Sequence, residues 1–342
     1  MSIERNKLVQ LYGKDPIAYS TLQKGLSYFD TSFGFIAYKR VGSIDITLGP
    51  PICAEDDLAE MLARFIRFSK KPIFSYVKEN VIQQVKDFNL YCGGMGIDRF
   101  VDHKSLRESP DKQVRSACKK ARKSNFVVEP INLSQLTRTE KERFDTITQH
   151  YLTNAQCSTE LCFLNRPVDF QADGLKRCFL LSKTDKEHNG IFGYAVMNPF
   201  YNQGEISGYL LDIIRFEKTR LWGVWLSTVF QLSQLMEQEG KIMSLGFCPF
   251  FDIQSPPACS SKWMDSQVNL MARLLGKAQY VRRLHELKTI IPGHKEPRYF
   301  ASYSPIALVT FVTFIRACGI NISALFGIEL LQTIRAGLFN KS

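Results

Sequence analysis

The stretch Tyr209–Val229, YLLDIIRFEKTRLWGVWLSTV, decides how this chain is read. Its first part is an aliphatic run carrying Asp212 and Arg215, which predicts a strand. Its second part opens near Gly223 into apolar residues at helical spacing. A strand, a short loop and a helix N-terminus together leave backbone N–H groups free, and so make a natural anion site. An ordinary strand-to-helix turn accounts for Gly223 but gives Asp212 and Arg215 no purpose.

Outward from this stretch, strands and helices alternate. Upstream, KRCFLLSK, NGIFGYAVMNPF and EISGYLLDIIRF read as three successive strands, preceded by a helix over LTRTEKERFDTITQHYL. Downstream, the long helix ends at Gly240, KIMSLGF is a further strand and DSQVNLMARLLGKAQ a further helix. A similar order stands before residue 95: strands over FGFIAYKR and SIDITLG turn at Val41-Gly42, and a helix, the strand KPIFSYV and another helix follow. The pattern predicts a mixed α/β (α+β) protein of two similar halves with largely antiparallel strands. The boundaries expected are 1–125, 126–304 and an apolar helical tail over 305–342.

The bulk numbers limit the partners. The 342 residues are 45% hydrophobic, enough for real cores, and Lys plus Arg outnumber acids 44 to 33 for a net charge of +11. Such a surplus favours polyanions, either nucleic acid or an anionic lipid surface. Nine scattered cysteines form no CxxC pair, so neither a metal site nor a disulfide framework is expected. The N-terminus lacks a signal-peptide core, which predicts a cytoplasmic protein.

Charge concentrates in two places. In DKQVRSACKKARKSN, Arg115, Lys119 and Arg122 share a helical face that Lys112, Lys120 and Lys123 widen. This is either a solvated face or a contact for phosphates. Near the end, LHELKTIIPGHKEPRYF carries Lys288, a Pro292-Gly293 turn, then Glu296 and Arg298. His285 and His294 read as structural rather than as acid–base groups, and metal-ligand spacing is absent. In the tail, Arg316 divides the apolar run into ten residues (306–315) and twelve (317–328). Neither reaches the roughly 20 needed to cross a bilayer. The tail is therefore expected to pack on the body or to lie in a membrane interface.

The strand–loop–helix resembles the acetyl-CoA transferases of the GNAT fold, which carry Gln/Arg-x-x-Gly-x-Gly/Ala there. This chain reads Arg220-Leu221-Trp222-Gly223-Val224-Trp225. Trp225 stands where a small residue lets backbone close on phosphate, which supports the fold and speaks against CoA. The order DIIRF, EQEGKIMSLGFCPF and LHELKTIIPGHKEPRYFASY is similar to the C-terminal catalytic domain of the lysyl-phosphatidylglycerol synthase (multiple peptide resistance factor) family. GFIAYKRVGSIDITLGPP, QVRSACKKARKSNF and STELCFL match its style, so the resemblance spans roughly residues 15 to 304.

That resemblance implies two tandem GNAT-like halves. It also implies transfer of an amino acid from aminoacyl-tRNA, as co-substrate and without a cofactor, to a hydroxyl of a membrane lipid such as phosphatidylglycerol. The site would then lie at the inner face of the cell membrane, and a separate flippase would join the partners. Asp212, Arg215 and Lys288 take catalytic positions; Glu160, Glu296, Arg298 and Gly223 bind substrate; Arg115, Lys119, Lys120, Arg122 and Lys123 meet tRNA phosphates. Asp212 is expected to orient Arg215 or to bind the α-ammonium. The chain departs from the family pattern at Ile97, Cys248 and Lys295, where an acid, an alanine and a tryptophan are usual. The rival readings are an acyl-CoA-dependent N-acyltransferase, a peptidoglycan-bridge aminoacyltransferase and a non-catalytic peripheral membrane protein.

Overall fold

A computed structural model describes residues 2–109, 111–112, 114–116, 119, 126–154, 160–170, 175–184, 189–217, 222–276 and 279–320. Its centre is one twelve-stranded mixed sheet. The strands are β1 (Ser27–Asp30), β2 (Gly34–Val41), β3 (Ile44–Leu48), β4 (Ile52–Cys53), β5 (Pro72–Val77), β6 (Tyr91–Phe100), β7 (Phe126–Ile131), β8 (Arg177–Thr184), β9 (Asn189–Asn202), β10 (Glu205–Phe216), β11 (Ile242–Pro249) and β12 (Lys295–Ser302). They run in the order β1-β2-β3-β5-β12-β6-β11-β10-β9-β8-β7, with β4 beside β2.

Each half repeats one plan, a meander of antiparallel strands followed by one parallel pair. β3 and β5 are parallel and are joined through the helix Leu58–Phe68. β10 and β11 are parallel and are joined through the helix Trp222–Gln238. A parallel pair needs such a crossover, since a tight turn only returns a strand antiparallel. The expected mixed, largely antiparallel halves are therefore present, and β6–β11 pairing fuses them into one sheet.

β12 lies outside its own half. It sits antiparallel between β5 and β6, so a segment near the C-terminus completes the sheet of the first 100 residues. Arg298 on this strand has no solvent exposure. Its guanidinium lies 2.6 Å from Asp98 on β6 and 2.7 Å from Asp15 in the N-terminal loop. Burial works against that charge, and the two carboxylates outweigh it and hold the guanidinium firmly protonated. Lys78 extends the cluster to Glu296 at 2.9 Å.

The sequence pattern did not announce β6, since the three glycines of YCGGMGIDRF are poor strand formers. Its glycines serve close packing instead. A Cβ at Gly94 would stand 2.4 Å from the carbonyl oxygen of Gln254, and one at Gly96 would stand 2.2 Å from that of Cys248.

The apolar tail begins as the helix Ala307–Ala317, which packs on the body. Phe311 meets Phe300 and Phe250 edge-on, and Phe314 meets Phe247 and Phe163. Residues 321–342 lie outside the described residues. Among the described residues no helix is long and apolar enough to cross a membrane.

Removing one member of a buried ion pair strands the other in low dielectric. Arg298→Met is expected to lower unfolding free energy by about 3–5 kcal/mol, measured by urea denaturation. A variant within 1 kcal/mol of wild type, on the order of an ordinary surface change, contradicts this account of the cluster.

Candidate functional site

A cavity of about 770 Å³ is lined mainly by residues 151–320, with Ile17 and Tyr76 joining from the first 100 residues. Its walls come from β10, β11, the loop 160–166, the helix Gln279–Thr289 and the tail helix with the residues after it. Apolar side chains such as Ile17, Leu164, Phe247, Val281 and Phe314 cover most of it. Glu160, Asp212, Arg215 and Lys288 also line it, so four of the residues singled out from sequence share one space.

Asp212 and Arg215 are three residues apart, and on an unbroken strand they would face opposite ways. A β-bulge changes this. Leu211 pairs with Met197 while Ile213 pairs with Val196, so Asp212 is an extra residue in β10. Packing shows the consequence. Leu211 joins the core beneath the helix Trp222–Gln238, whereas Ile213 joins Phe144, Ile147 and Tyr194 on the other face. The bulge resets the alternation, and Asp212 and Arg215 both reach the cavity.

Each polar group has its own partners. Arg215 is buried and donates to Glu160 at 2.5 Å and to the Tyr194 hydroxyl at 3.3 Å, with the Tyr151 ring 5.0 Å away. Asp212 accepts hydrogen bonds from Asn165 at 3.0 Å, from the backbone N–H of Arg166 at 3.2 Å and from Asn198 at 2.8 Å. The orienting carboxylate of Arg215 is therefore Glu160, not Asp212. Burial pushes the Asp212 carboxyl up to about 6 against those three donors. That places its proton exchange close to neutrality.

Lys288 occupies the face of its helix that also carries Val281 and Leu284. Its Nζ donates to the Phe247 carbonyl at 2.9 Å. Burial lowers its pKa, with Cys248, Asp98 and Asp212 acting in the opposite sense. β11 carries a bulge of its own, with Leu245 as the extra residue, and Gly246 beside it has a φ of +74° that suits glycine. A Cβ there would stand 3.7 Å from Lys288 Nζ and 2.9 Å from Leu210.

The remaining sequence candidates fall elsewhere. Glu296 and Arg298 belong to the ion cluster behind the cavity, where Arg298 lies under the Tyr76 ring at 4.6 Å and Tyr76 lines the cavity. Gly223 is exposed and off the cavity wall, and a Cβ on it would meet nothing within 4 Å. Trp225, four residues from the start of its helix, does line the cavity. Arg115 and Lys119 are exposed, while Lys120, Arg122 and Lys123 lie outside the described residues. His285 stacks on Phe251 at 3.7 Å and His294 on Phe100 at 4.5 Å; neither lines the cavity.

Sequence reasoning missed Asn165, Arg166 and Asn198. Arg166 lines the cavity beside Tyr19, and its buried Nη1 has no hydrogen-bond partner among the described residues. The available signal was Asn-Arg directly after the apolar Cys162-Phe163-Leu164, but it gains meaning only from the fold.

The fold agrees with what the chain resembles. The family model for the C-terminal domain of phosphatidylglycerol lysyltransferase matches residues 6–302, and the chain belongs to that family. The L-PGS structure from Bacillus licheniformis superposes with a TM-score of 0.71 at 17% identity, covering 93% of this chain and 96% of that one. The C-terminal domain assigned to a lysylphosphatidylglycerol synthetase of Agrobacterium fabrum gives 0.71 at 16% identity, covering 92% and 96%. FemX gives 0.54 at 10% identity, covering 92% and 98%. An uncharacterised protein of Corynebacterium glutamicum is 22% identical over 288 residues, 77% of this chain and 34% of its own length, so the chain spans about a third of that relative.

Because a Cβ at Gly223 would meet nothing within 4 Å among the described residues, Gly223→Ala is expected to keep full ligand binding and to gain up to about 1 kcal/mol of stability from helix propensity. A melting curve and a binding titration check both; weakened binding would return Gly223 to the site.

Proposed function

We propose that this protein transfers an aminoacyl group from aminoacyl-tRNA to a hydroxyl of a membrane lipid, phosphatidylglycerol being the reference acceptor. The observation that carries this reading is the amphiphilic cavity. Its apolar walls suit an acyl-bearing molecule, and Glu160, Asp212, Arg215 and Lys288 concentrate charge where a head group and an ester would meet. Membership in the phosphatidylglycerol lysyltransferase family supports it.

The reaction requires a nucleophile, a proton acceptor and a stabiliser of the tetrahedral oxyanion. In the proposed mechanism Asp212 takes the proton of the attacking lipid hydroxyl. That oxygen bonds to the aminoacyl carbonyl carbon. Arg215, fixed by Glu160, and Lys288, fixed by the Phe247 carbonyl, face the negative charge that develops on the carbonyl oxygen. The ester bond to the tRNA ribose then breaks, and the ribose oxygen recovers a proton from Asp212. Arg166, one of whose guanidinium nitrogens has no partner among the described residues, binds the lipid phosphate.

The donor places the reaction on the cytoplasmic side, at the inner face of the membrane, and Arg115 and Lys119 offer phosphate contacts for tRNA. A separate flippase would carry product across. Trp225 on the cavity wall argues against CoA as donor.

The direct test mixes the protein with phosphatidylglycerol vesicles and charged tRNA, then analyses extracted lipid by mass spectrometry. A new aminoacylated lipid is expected; its absence, together with CoA binding by calorimetry, would replace this reading by acyl-CoA transfer. Arg215→Ala is expected to lower kcat by about 10²–10³, as for loss of one oxyanion donor. The base must be deprotonated, and burial raises its pKa. Turnover should therefore rise with pH through about 6 and level off above it, instead of being complete from pH 4–5 upward. A flat profile between pH 5 and 7 would remove Asp212 from proton transfer.

A further inference from the structure

The helix Lys262–Leu275 presents an apolar stripe to solvent. Trp263 is 66% exposed, Leu270 54% and Leu274 45%. They stand at i, i+7 and i+11, on one line along the helix. Gln267 lies on that same line and clips the start of the tail helix. Its Nε2 donates to the Pro305 carbonyl at 2.9 Å, and its Oε1 accepts from the N–H of Ala307 at 3.1 Å. The clip sets Ile306, 51% exposed, beside the stripe, with Leu308, 50% exposed, next to it. Single exposed apolar residues are ordinary, but a continuous group of this size marks a contact surface.

The charges around the stripe identify the contact. Lys262, Arg273 and Arg316 are the exposed charges of the two helices, and the one acid they carry, Asp265, is partly buried. A second copy packed through the same face would oppose cations to cations. An anionic bilayer attracts all three, by roughly fivefold in affinity for each basic residue near its surface. An indole beside aliphatic side chains and a cationic border is the pattern of a helix lying in the lipid head-group layer. The tail helix carries the surface to the catalytic cavity. Ile306 precedes its first turn, while Phe314 and Ile315 near its last turn line the cavity, about 16 Å along an eleven-residue helix.

We propose that the exposed face of Lys262–Leu275, together with Ile306 and Leu308, docks this protein on an anionic membrane with Trp263 buried among the lipid head groups. The proposal goes beyond the transfer reaction and does not require that lipid be the acceptor.

The three tryptophans make the two ideas separable. In the full chain, Trp222→Phe with Trp225→Phe leaves Trp263 as reporter of docking. Trp222→Phe with Trp263→Phe leaves Trp225, which reports entry of lipid into the cavity. Each variant is mixed with vesicles of brominated phosphatidylcholine, with and without brominated phosphatidylglycerol. Docking requires that Trp263 fluorescence shift to the blue and be quenched on the anionic vesicles, with much weaker quenching on neutral ones. Replacing Trp263, Leu270 and Leu274 together by Ser should weaken vesicle co-sedimentation by roughly tenfold or more. Its melting curve should be unchanged, since all three side chains are exposed.

Three outcomes overturn the proposal: Trp263 unquenched while the protein still sediments with vesicles, full binding by the triple variant, or a dimer in solution that the triple variant dissolves. Quenching at Trp263 without quenching at Trp225 upholds docking and counts against a lipid acceptor. The reverse upholds the acceptor and sinks the docking surface.

Discussion

The chemistry of this molecule depends on one extra residue in β10. Without the bulge at Asp212, strand alternation would send Asp212 and Arg215 to opposite faces of the sheet. With it, both face the cavity, and Leu211 and Ile213, two positions apart, anchor opposite cores. A bulge disrupts local pairing, and this one is held by side-chain contacts. Asn165, Asn198 and the Arg166 N–H fasten Asp212, while Glu160 and Tyr194 fasten Arg215. The groups that aim the site also maintain the irregularity that creates it.

Two arginines on neighbouring parts of the sheet show how surroundings assign roles. Arg298 is enclosed by Asp98 and Asp15, is not part of this cavity's wall, and ties β12 to β6 and the N-terminal loop. Among the described residues Arg215 has one carboxylate partner, Glu160, and it borders a cavity in which charge can develop. Burial is severe for both, but only Arg215 stands where its charge can be used by a ligand. Removing Arg298 is thus a question of folding and removing Arg215 a question of reaction.

Much of the fold was legible in the sequence. The β2–β3 hairpin, the helix after β3 and the long helix ending at Gly240 follow from periodicity and from glycine's access to positive φ, although the hairpin turns at Gly42-Ser43, one residue later than Val41-Gly42, because Val41 still pairs with Ile44. β6 was not legible, because its glycines answer to neighbours distant in sequence, and Gly96 also to its own φ of +144°. The position of β12 was equally hidden, since pairing partners some 200 residues away leave no local pattern. For the site, the strand-to-helix stretch singled out Asp212 and Arg215, the family resemblance added Lys288 and Glu160, and all four line one cavity. Their partnerships were misjudged because a bulge has no signature in composition. Glu296 and Arg298 looked like ligand groups for the opposite reason: a structural ion cluster uses the same residue types as a binding site. The apolar tail was ambiguous on principle, because hydropathy alone does not distinguish a protein core from a lipid phase. Its first helix resolves to core, and its last turn to the cavity wall.

The central claim is that Asp212, Arg215 and Lys288 act together on one ester inside one cavity. Soaking or co-crystallising the protein with a non-hydrolysable aminoacyl-adenosine amide, the minimal mimic of a charged tRNA end, tests it most directly. The account expects the aminoacyl carbonyl oxygen within hydrogen-bond distance of Arg215 or Lys288 and the Asp212 carboxylate open to an incoming hydroxyl. An aminoacyl group bound outside the cavity, or held instead against Glu296 at the ion cluster, would contradict it.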